Sequence, residues 1–308
     1  MLSHVPMPGE TFARAKQFGL GHASLGKMRS SMLGYLLGIM IGDAAKRRAS
    51  SRSGRMFIEL VLTKRHPENR RLGEFVGLCA NACGLKFSRI RDRVQNERLP
   101  YGRYHWKSEH STIVTWLFNR CLGLRYGQLT TYDAAAVGWV ASMPRTFKIW
   151  FLQGLADSDG YVRLQDQEVH LITSPNTKAI RRILNSMGVI YRLGISKGLD
   201  IIQLPVSTAS QLPVFSPFAN SYRYSLMMSL ASARRLGSGP WPKWLRKRVV
   251  SLASQKKTTG QILREILRDY HIAIRAPNVR RYLKRRQVAT EVAVRIGGGP
   301  GGIRTHDL

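Results

Sequence analysis

Two short apolar stretches, residues 32–43 and 150–160, constrain the fold of this chain more than any other feature. Small residues recur at every fourth position of both stretches: Gly34, Gly38 and Gly42, then Gly154 and Ser158. On a helix these positions fall on one face. Glycine inside a helix costs about 0.5–1 kcal/mol relative to alanine, and the plainest reason to keep it is close approach of another backbone. We therefore predict that the two stretches form helices that pack against each other.

Each stretch ends in an aspartate, Asp43 in the first and Asp159 in the second. A carboxylate at the C-terminal end of a helix meets the negative end of the helix dipole, at a cost of a few tenths to ~1 kcal/mol. If the helices run in the same direction, the two carboxylates meet and repel unless a cation lies between them. This predicts a site for Mg²⁺ or Mn²⁺ held by oxygen ligands. The alternative is a structural helix pair whose aspartates serve as caps or pair with arginine.

The two stretches, LLGIMIGDA and LQGLADSDG, resemble the motif of the LAGLIDADG homing endonucleases. The first copy departs from the motif, with Ile41 at its first aspartate position and Ala44 in place of its last glycine. The metal-binding acid of that family maps onto Asp43 and Asp159, and both are present. Two copies in one chain indicate the monomeric, two-motif type.

This resemblance implies an α+β fold of two pseudo-symmetric αββαββα repeats, whose two antiparallel sheets form a saddle over the major groove of DNA. It implies a sequence-specific endonuclease, encoded within an intron, that makes metal-dependent double-strand cuts at a long target site. Members of the family carry polar or basic residues near the reacting phosphate, at the end of the second strand of the first repeat. Lys64 and Arg65 match that position, and Lys107 on a later strand is a further candidate for the same catalytic role.

The order of apolar periods and turn residues repeats in the two halves, which is typical of an internal duplication. We expect five segments: a disordered leader (1–30), a first repeat (31–130), a second repeat (131–237), a basic segment resembling a helix-turn-helix (241–290) and a flexible tail (291–308). The recognition helix of the basic segment would begin at Pro277. The alternative for that segment is a solvated basic helix.

The net charge of +31 and the isoelectric point near 11.1 indicate a polyanionic partner. Double-stranded DNA is the expected partner, and intron RNA is a further candidate. An anionic membrane would also attract this charge, but no lysine-rich amphipathic helix, lipidation signal or signal peptide is visible. The three cysteines suit a reducing cytosol, so we expect a cytoplasmic protein, associated with the nucleoid in a prokaryote.

Alternation of basic and apolar residues along the predicted strands indicates which side chains would contact DNA. On the predicted strands and their turns the candidates are Arg47, Arg48, Arg89, Arg91, Arg93, Arg103, Arg163, Arg192 and Lys197, and on the predicted recognition helix they are Arg280, Arg281 and Lys284. Two other functions remain open for the same fold. One is a non-catalytic DNA-binding regulator, and the other is a maturase that binds intron RNA.

Overall fold

The computed structural model describes residues 25–42, 45–48, 56–90, 92, 101–109, 111–124, 134–237 and 240–296. The chain divides into two compact units. The first comprises residues 1–162 and 169–228, and the second comprises residues 163–168 and 229–308. Within the described residues, no helix has both the length and the apolar composition required to cross a membrane.

The described part of the first repeat contains three α-helices and one four-stranded sheet. Its elements are α1 (Leu25–Ile41), β1 (Ala45–Arg48), β2 (Met56–Thr63), α2 (Glu68–Ala82), β3 (Phe87–Arg89), β4 (Arg103–Ser108) and α3 (Thr112–Trp116), which continues into a π-helical turn (Leu117–Cys121). The strand order is β1-β2-β4-β3, with each neighbouring pair antiparallel.

The second repeat follows the same plan. A 3₁₀ helix (Val137–Ser142) leads into α4 (Arg145–Asp159), β5 (Gly160–Arg163), β6 (Glu168–Ile172), α5 (Thr177–Asn185), β7 (Arg192–Ser196), β8 (Leu199–Pro205), α6 (Val206–Gln211) and α7 (Ser221–Ser232). Its strand order, β5-β6-β8-β7, is equivalent to that of the first sheet. The predicted α+β fold of two duplicated repeats with antiparallel sheets is therefore confirmed.

Alternation along β2 and β4 assigns the two faces of the first sheet. Ile58, Leu60 and Leu62 are buried, and Leu60 pairs across the strands with Trp106. A Cβ added to Gly73 of α2 would overlap the Trp106 ring. Because directly paired residues share a face, this is the face covered by α2, and the intervening residues lie on the opposite face.

The second unit is mainly helical. Its elements are β9 (Arg234–Leu236), α8 (Lys243–Ser254), α9 (Thr259–Tyr270), β10 (Ile272–Ile274) and α10 (Ala276–Ile296). Strands β9 and β10 pair in parallel. Helix α9 begins with a capping box between Thr258 and Gln261, which satisfies two otherwise unpaired N–H groups. It ends at His271, which has a φ of 54°.

Three boundaries differ from those set by the sequence pattern. Helix α1 begins at Leu25, inside the expected leader, and no proline between Pro8 and Pro67 prevents this extension. Helix α10 extends to Ile296, inside the expected tail. Strand β9 lies inside the expected second repeat, but it pairs with β10 and belongs to the second unit. Residues 1–24 and 297–308 lie outside the described residues.

Candidate functional site

Helices α1 and α4 cross with their backbones in contact. A Cβ added to Gly38 would lie 2.8 Å from the backbone N of Leu155. A Cβ added to Gly154 would lie 2.9 Å from the backbone N of Ile39. Both distances are shorter than real Cβ atoms tolerate, so any side chain at these positions would force the helices apart. The small residues at this crossing therefore set the separation of the two helices.

The contacts progress in the same direction along both helices. Near the start of the crossing, a Cβ at Gly34 would lie 2.9 Å from the carbonyl oxygen of Phe147. At its end, a Cβ at Gly42 would lie 2.8 Å from the Cβ of Ser158 and 2.7 Å from Oδ2 of Asp159. The helices are consequently parallel, and their C-terminal ends meet at Gly42 and Asp159.

The carboxylate of Asp159 lies at the end of α4 and is half-buried. A Cβ at position 42 would overlap the Ser158 hydroxyl and lie 2.7 Å from Oδ2 of Asp159, so glycine lets the end of α1 approach this carboxylate closely. Carboxylate oxygens are the ligands that hard divalent cations prefer. Asp43, the other predicted ligand, follows Gly42 in sequence and lies outside the described residues.

Arg223 of α7 stabilises the C-terminal end of α4. Its Nη1 atom donates hydrogen bonds to the carbonyl oxygens of Ala156, at 3.3 Å, and Asp157, at 3.0 Å. A cation at this end of a helix opposes the negative end of the dipole, which lowers the electrostatic cost of placing Asp159 there. No local sequence pattern predicts this role of Arg223, because it lies 66 residues after Asp157 in the chain.

Asp157 is fully buried and connects α4 to α1. Its Oδ2 atom accepts a hydrogen bond from the hydroxyl of Tyr35 at 2.8 Å, and the backbone N–H of Ser216 donates to Oδ1 at 3.4 Å. Burial raises the pKa of Asp157 to about 8, although the Tyr35 hydrogen bond, the charge of Arg223 and the Ser216 bond oppose this rise. The side chain is therefore largely protonated at neutral pH, and its partners identify it as a link between the helices.

Lys64 and Arg89 lie together around Asp92, which the sequence analysis did not single out. Lys64 Nζ is 2.9 Å from Oδ2 of Asp92, and the Arg89 Nη2 atom is 2.5 Å from the same oxygen. Both cations also lie over the ring of Tyr104, at 5.3 and 5.1 Å from its centroid. The hydrogen bond from Arg89 is the main cause that lowers the pKa of Asp92 to about 2, and Lys64 contributes to it.

The other two candidate catalytic cations contact different aromatic rings. Arg65 lies 5.4 Å from the ring centroid of Tyr101. Lys107 Nζ lies 4.1 Å from that of Phe57, and Lys107 is opposite Glu59 in the β2–β4 register. Lys107 therefore lies on the face of the first sheet opposite α2.

A buried carboxylate–imidazole pair, Glu59 with His105, lies on that same face. The two residues are 5% and 7% exposed. Alternation within β2 does not reveal this pair, because its two members lie on different strands. Strand alternation alone places Glu59 and Val61 on one face, but the register to β4 is needed to bring His105 to them.

Apart from Arg89, the described candidate DNA-binding residues of the first unit lie on strands β1, β4 and β7 and in the β7–β8 turn. Arg103 and Lys197 are exposed, and Lys197 lies in the β7–β8 turn with a φ of 52°. Arg192 of β7 pairs with Gln203. Arg47 and Arg48 belong to β1, where their backbones pair with Phe57 and Met56. Arg91 and Arg93 lie outside the described residues.

The remaining candidates belong to the second unit. Arg163 forms an ion pair with Asp166 at 2.6 Å. Arg280, Arg281 and Lys284 are exposed on α10, which begins at Ala276, one residue before the predicted start. The connection from α9 to α10 contains strand β10, whereas a helix-turn-helix joins its helices by a turn of three or four residues.

Comparisons with known proteins give structural matches only. No family model and no curated protein sequence matches this chain. A mesophilic variant of the homing endonuclease I-DmoI matches 60% of this chain and 93% of its own, with 15% identity and a TM-score of 0.42. I-WcaI bound to its DNA recognition sequence matches 68% and 91%, with 10% identity and a TM-score of 0.44.

A third match is the N-terminal LAGLIDADG domain of DUF199/WhiA. It covers 75% of this chain and 97% of that domain, with 11% identity and a TM-score of 0.36. Another I-DmoI structure is a complex with DNA and Mn, with 14% identity and a TM-score of 0.40. Scores this low leave the function of this chain to be inferred from its own residues.

Proposed function

We propose that this protein is a DNA endonuclease that makes metal-dependent double-strand cuts at a specific, long target site. The observation that carries this proposal is the parallel crossing of α1 and α4, which ends with Gly42 against Asp159. Since Asp43 directly follows Gly42, the crossing favours two carboxylates close together at the ends of two helices. Two such carboxylates need a cation between them.

Asp43 and Asp159 would hold the cation, Mg²⁺ or Mn²⁺. When bound, a divalent ion supplies activation of a water nucleophile and stabilisation of the leaving oxygen during phosphodiester hydrolysis. The residues of this chain orient the phosphate and offset its growing negative charge. Lys64, Arg65 and Lys107 are the cations proposed for that role.

Double-stranded DNA is the proposed substrate because of the charge and the duplication. A net charge of +31 favours a polyanion. The two repeats have equivalent sheets, so one chain offers two similar surfaces, as the two antiparallel strands of a duplex require. We therefore propose a monomer, in which Asp43 and Asp159 each come from one repeat. The cations proposed to contact DNA include Arg103, Arg192 and Lys197.

A non-catalytic DNA-binding regulator is the second candidate. It is favoured by the second unit, where residues 241–286 contain 14 Lys and Arg against Glu265 and Asp269. These residues form three helices, and α10 carries several exposed cations. This unit would add affinity for nucleic acid without adding chemistry. An RNA maturase is the third candidate.

The test begins with selection of bound duplexes from a randomised DNA library in EDTA. The bound duplexes are then incubated with Mg²⁺ or Mn²⁺, and their ends are sequenced. An endonuclease should produce paired ends at one site in the metal-containing samples alone. Tight, selective binding without cleavage in either metal would assign the regulator function. Preferential binding of structured RNA in a parallel selection would assign the maturase function.

A further inference from the structure

The second unit contains a cleft of about 370 Å³ between the start of α8 and one face of α10. The cleft is lined by Pro240, Trp241, Arg246, Asn278, Arg281, Tyr282 and Arg285. The four α10 residues follow the spacing i, i+3, i+4 and i+7, so they form a single stripe along that helix. A volume of this size is within the range of small-ligand sites.

Two aromatic rings form an apolar surface in this cleft. The ring centroids of Trp241 and Tyr282 are 5.2 Å apart, with an angle of 44° between their planes. The indole N–H of Trp241 donates to the carbonyl oxygen of Gly237 at 3.0 Å. Because that donor is already used, the Trp241 ring packs against Tyr282 and supports it. Trp241 is buried, whereas Tyr282 is partly accessible.

Three arginines, Arg246, Arg281 and Arg285, surround these rings and are exposed. Among the described residues, no carboxylate lies within salt-bridge distance of any of the three. The two acids of residues 241–286 are engaged elsewhere. Glu265 pairs with Lys257, and Asp269 lies 3.2 Å from Arg248. The cleft therefore combines cations without acidic partners and an aromatic surface.

We propose that this cleft binds an unpaired nucleotide of a single nucleic-acid strand. Arginines are suited to phosphate because their planar groups donate paired hydrogen bonds. An aromatic ring is suited to a nucleobase, which stacks on it with little dependence on sequence. The base must be unpaired and unstacked, since the faces of a base inside a duplex are covered by its neighbours. This site lies outside the proposed catalytic residues and needs no cleavage.

The experiment measures the affinity of the full chain for a fluorescein-labelled single-stranded oligonucleotide by anisotropy, at several salt concentrations. Arg285→Gln removes a cleft cation, and Arg264→Gln, an exposed residue of α9, is the charge-matched control. Loss of one phosphate contact should lower the magnitude of the log–log salt slope by about 0.7 for a single strand. We expect this change for Arg285→Gln and an unchanged slope for Arg264→Gln.

A second pair of variants tests the aromatic surface. Tyr282→Leu keeps an apolar side chain but removes the ring, and should weaken binding about 5- to 150-fold, as expected for one lost base–aromatic stack. Tyr282→Phe should retain the parent affinity. Circular dichroism and thermal unfolding of each variant would check that the second unit remains folded.

Competition experiments identify the source of the nucleotide. If the oligonucleotide binds more tightly than a mononucleotide, the ligand of the cleft is part of a nucleic-acid strand. If the two bind equally, the same arginines and ring recognise a free nucleotide. Two results would overturn the proposal. One is unchanged oligonucleotide affinity in both Arg285→Gln and Tyr282→Leu. The other is full displacement by inorganic phosphate with no effect of Tyr282→Leu, which would identify an anion site only.

Discussion

The buried carboxyl of Asp157 makes folding stability depend on pH in a defined direction. In the folded chain its pKa is raised to about 8, from a usual value of 3.8, chiefly by burial. Between these two values the folded state keeps a proton that the unfolded state releases. The contribution of this group to stability is therefore fully present below pH ~4 and is lost as the pH rises through about 8.

Replacing Asp157 by Asn should remove this dependence while preserving size and an acceptor for Tyr35. The difference between the two pKa values corresponds to about 5–6 kcal/mol, at about 1.36 kcal/mol per tenfold change in proton affinity. The free energy of unfolding of the variant should therefore rise relative to that of the parent by about 1.4 kcal/mol per pH unit between pH 4 and 8.

Equilibrium urea unfolding of parent and variant from pH 4 to 9 measures this difference directly. Tyr35→Phe provides a second arm, because it removes a hydrogen bond that favours the ionised carboxylate. In that variant the loss of stability should continue to higher pH than in the parent. A constant difference between parent and Asp157→Asn across the range would show that Asp157 is ionised in the folded chain, and would refute this account of the helix pair.

Three further predictions follow from the crossing, the charge and the duplication. Gly38→Ala should lower the free energy of unfolding by about 1–3 kcal/mol or more, because the added Cβ would overlap the backbone of α4. Gly77→Ala is the control: its Cβ would lie 3.6 Å from the Phe87 ring, so the free energy of unfolding should rise by up to about 0.5–1 kcal/mol. Equal effects of the two variants in thermal unfolding would contradict the close crossing. DNA affinity, measured by filter binding, should fall steeply as the salt concentration rises. Each phosphate neutralised contributes about 0.9 to the slope of log binding constant against log salt concentration. An affinity that does not change with salt would contradict a nucleic-acid partner. Analytical sedimentation of the protein without DNA should give a monomer. An obligate dimer would show that one chain does not form the complete metal site by itself.

Much of the first unit could be predicted from the sequence because its signals are local. The four-residue spacing of Gly34, Gly38 and Gly42 identifies a helix face that admits another backbone. Repetition of the same period at Gly154 identifies the partner helix. The equivalent strand orders of the two sheets then follow from the duplicated order of elements. Each of these signals is a local pattern, and the second half of the chain repeats it.

The details of the site depend on contacts between distant residues, which a single sequence does not encode visibly. Arg223 reaches the end of α4 from a helix 66 residues away. The pair of Glu59 and His105 requires the register between β2 and β4. The pKa of Asp157 is raised by burial. The amino-acid sequence alone does not distinguish this buried aspartate from the exposed acids. Packing of the whole unit determines each of these features.

The most direct test of the proposed function uses Asp43→Asn and Asp159→Asn, which retain side-chain size but remove one negative charge each. Cleavage of the selected duplex is measured with Mg²⁺ and with EDTA, together with binding of the same duplex. We predict that either substitution lowers cleavage by orders of magnitude and leaves DNA binding intact, whereas Asp157→Asn has a milder effect. Parent-level cleavage by both variants, or metal-independent cleavage by the parent, would contradict the assignment of these two carboxylates as the metal-binding centre.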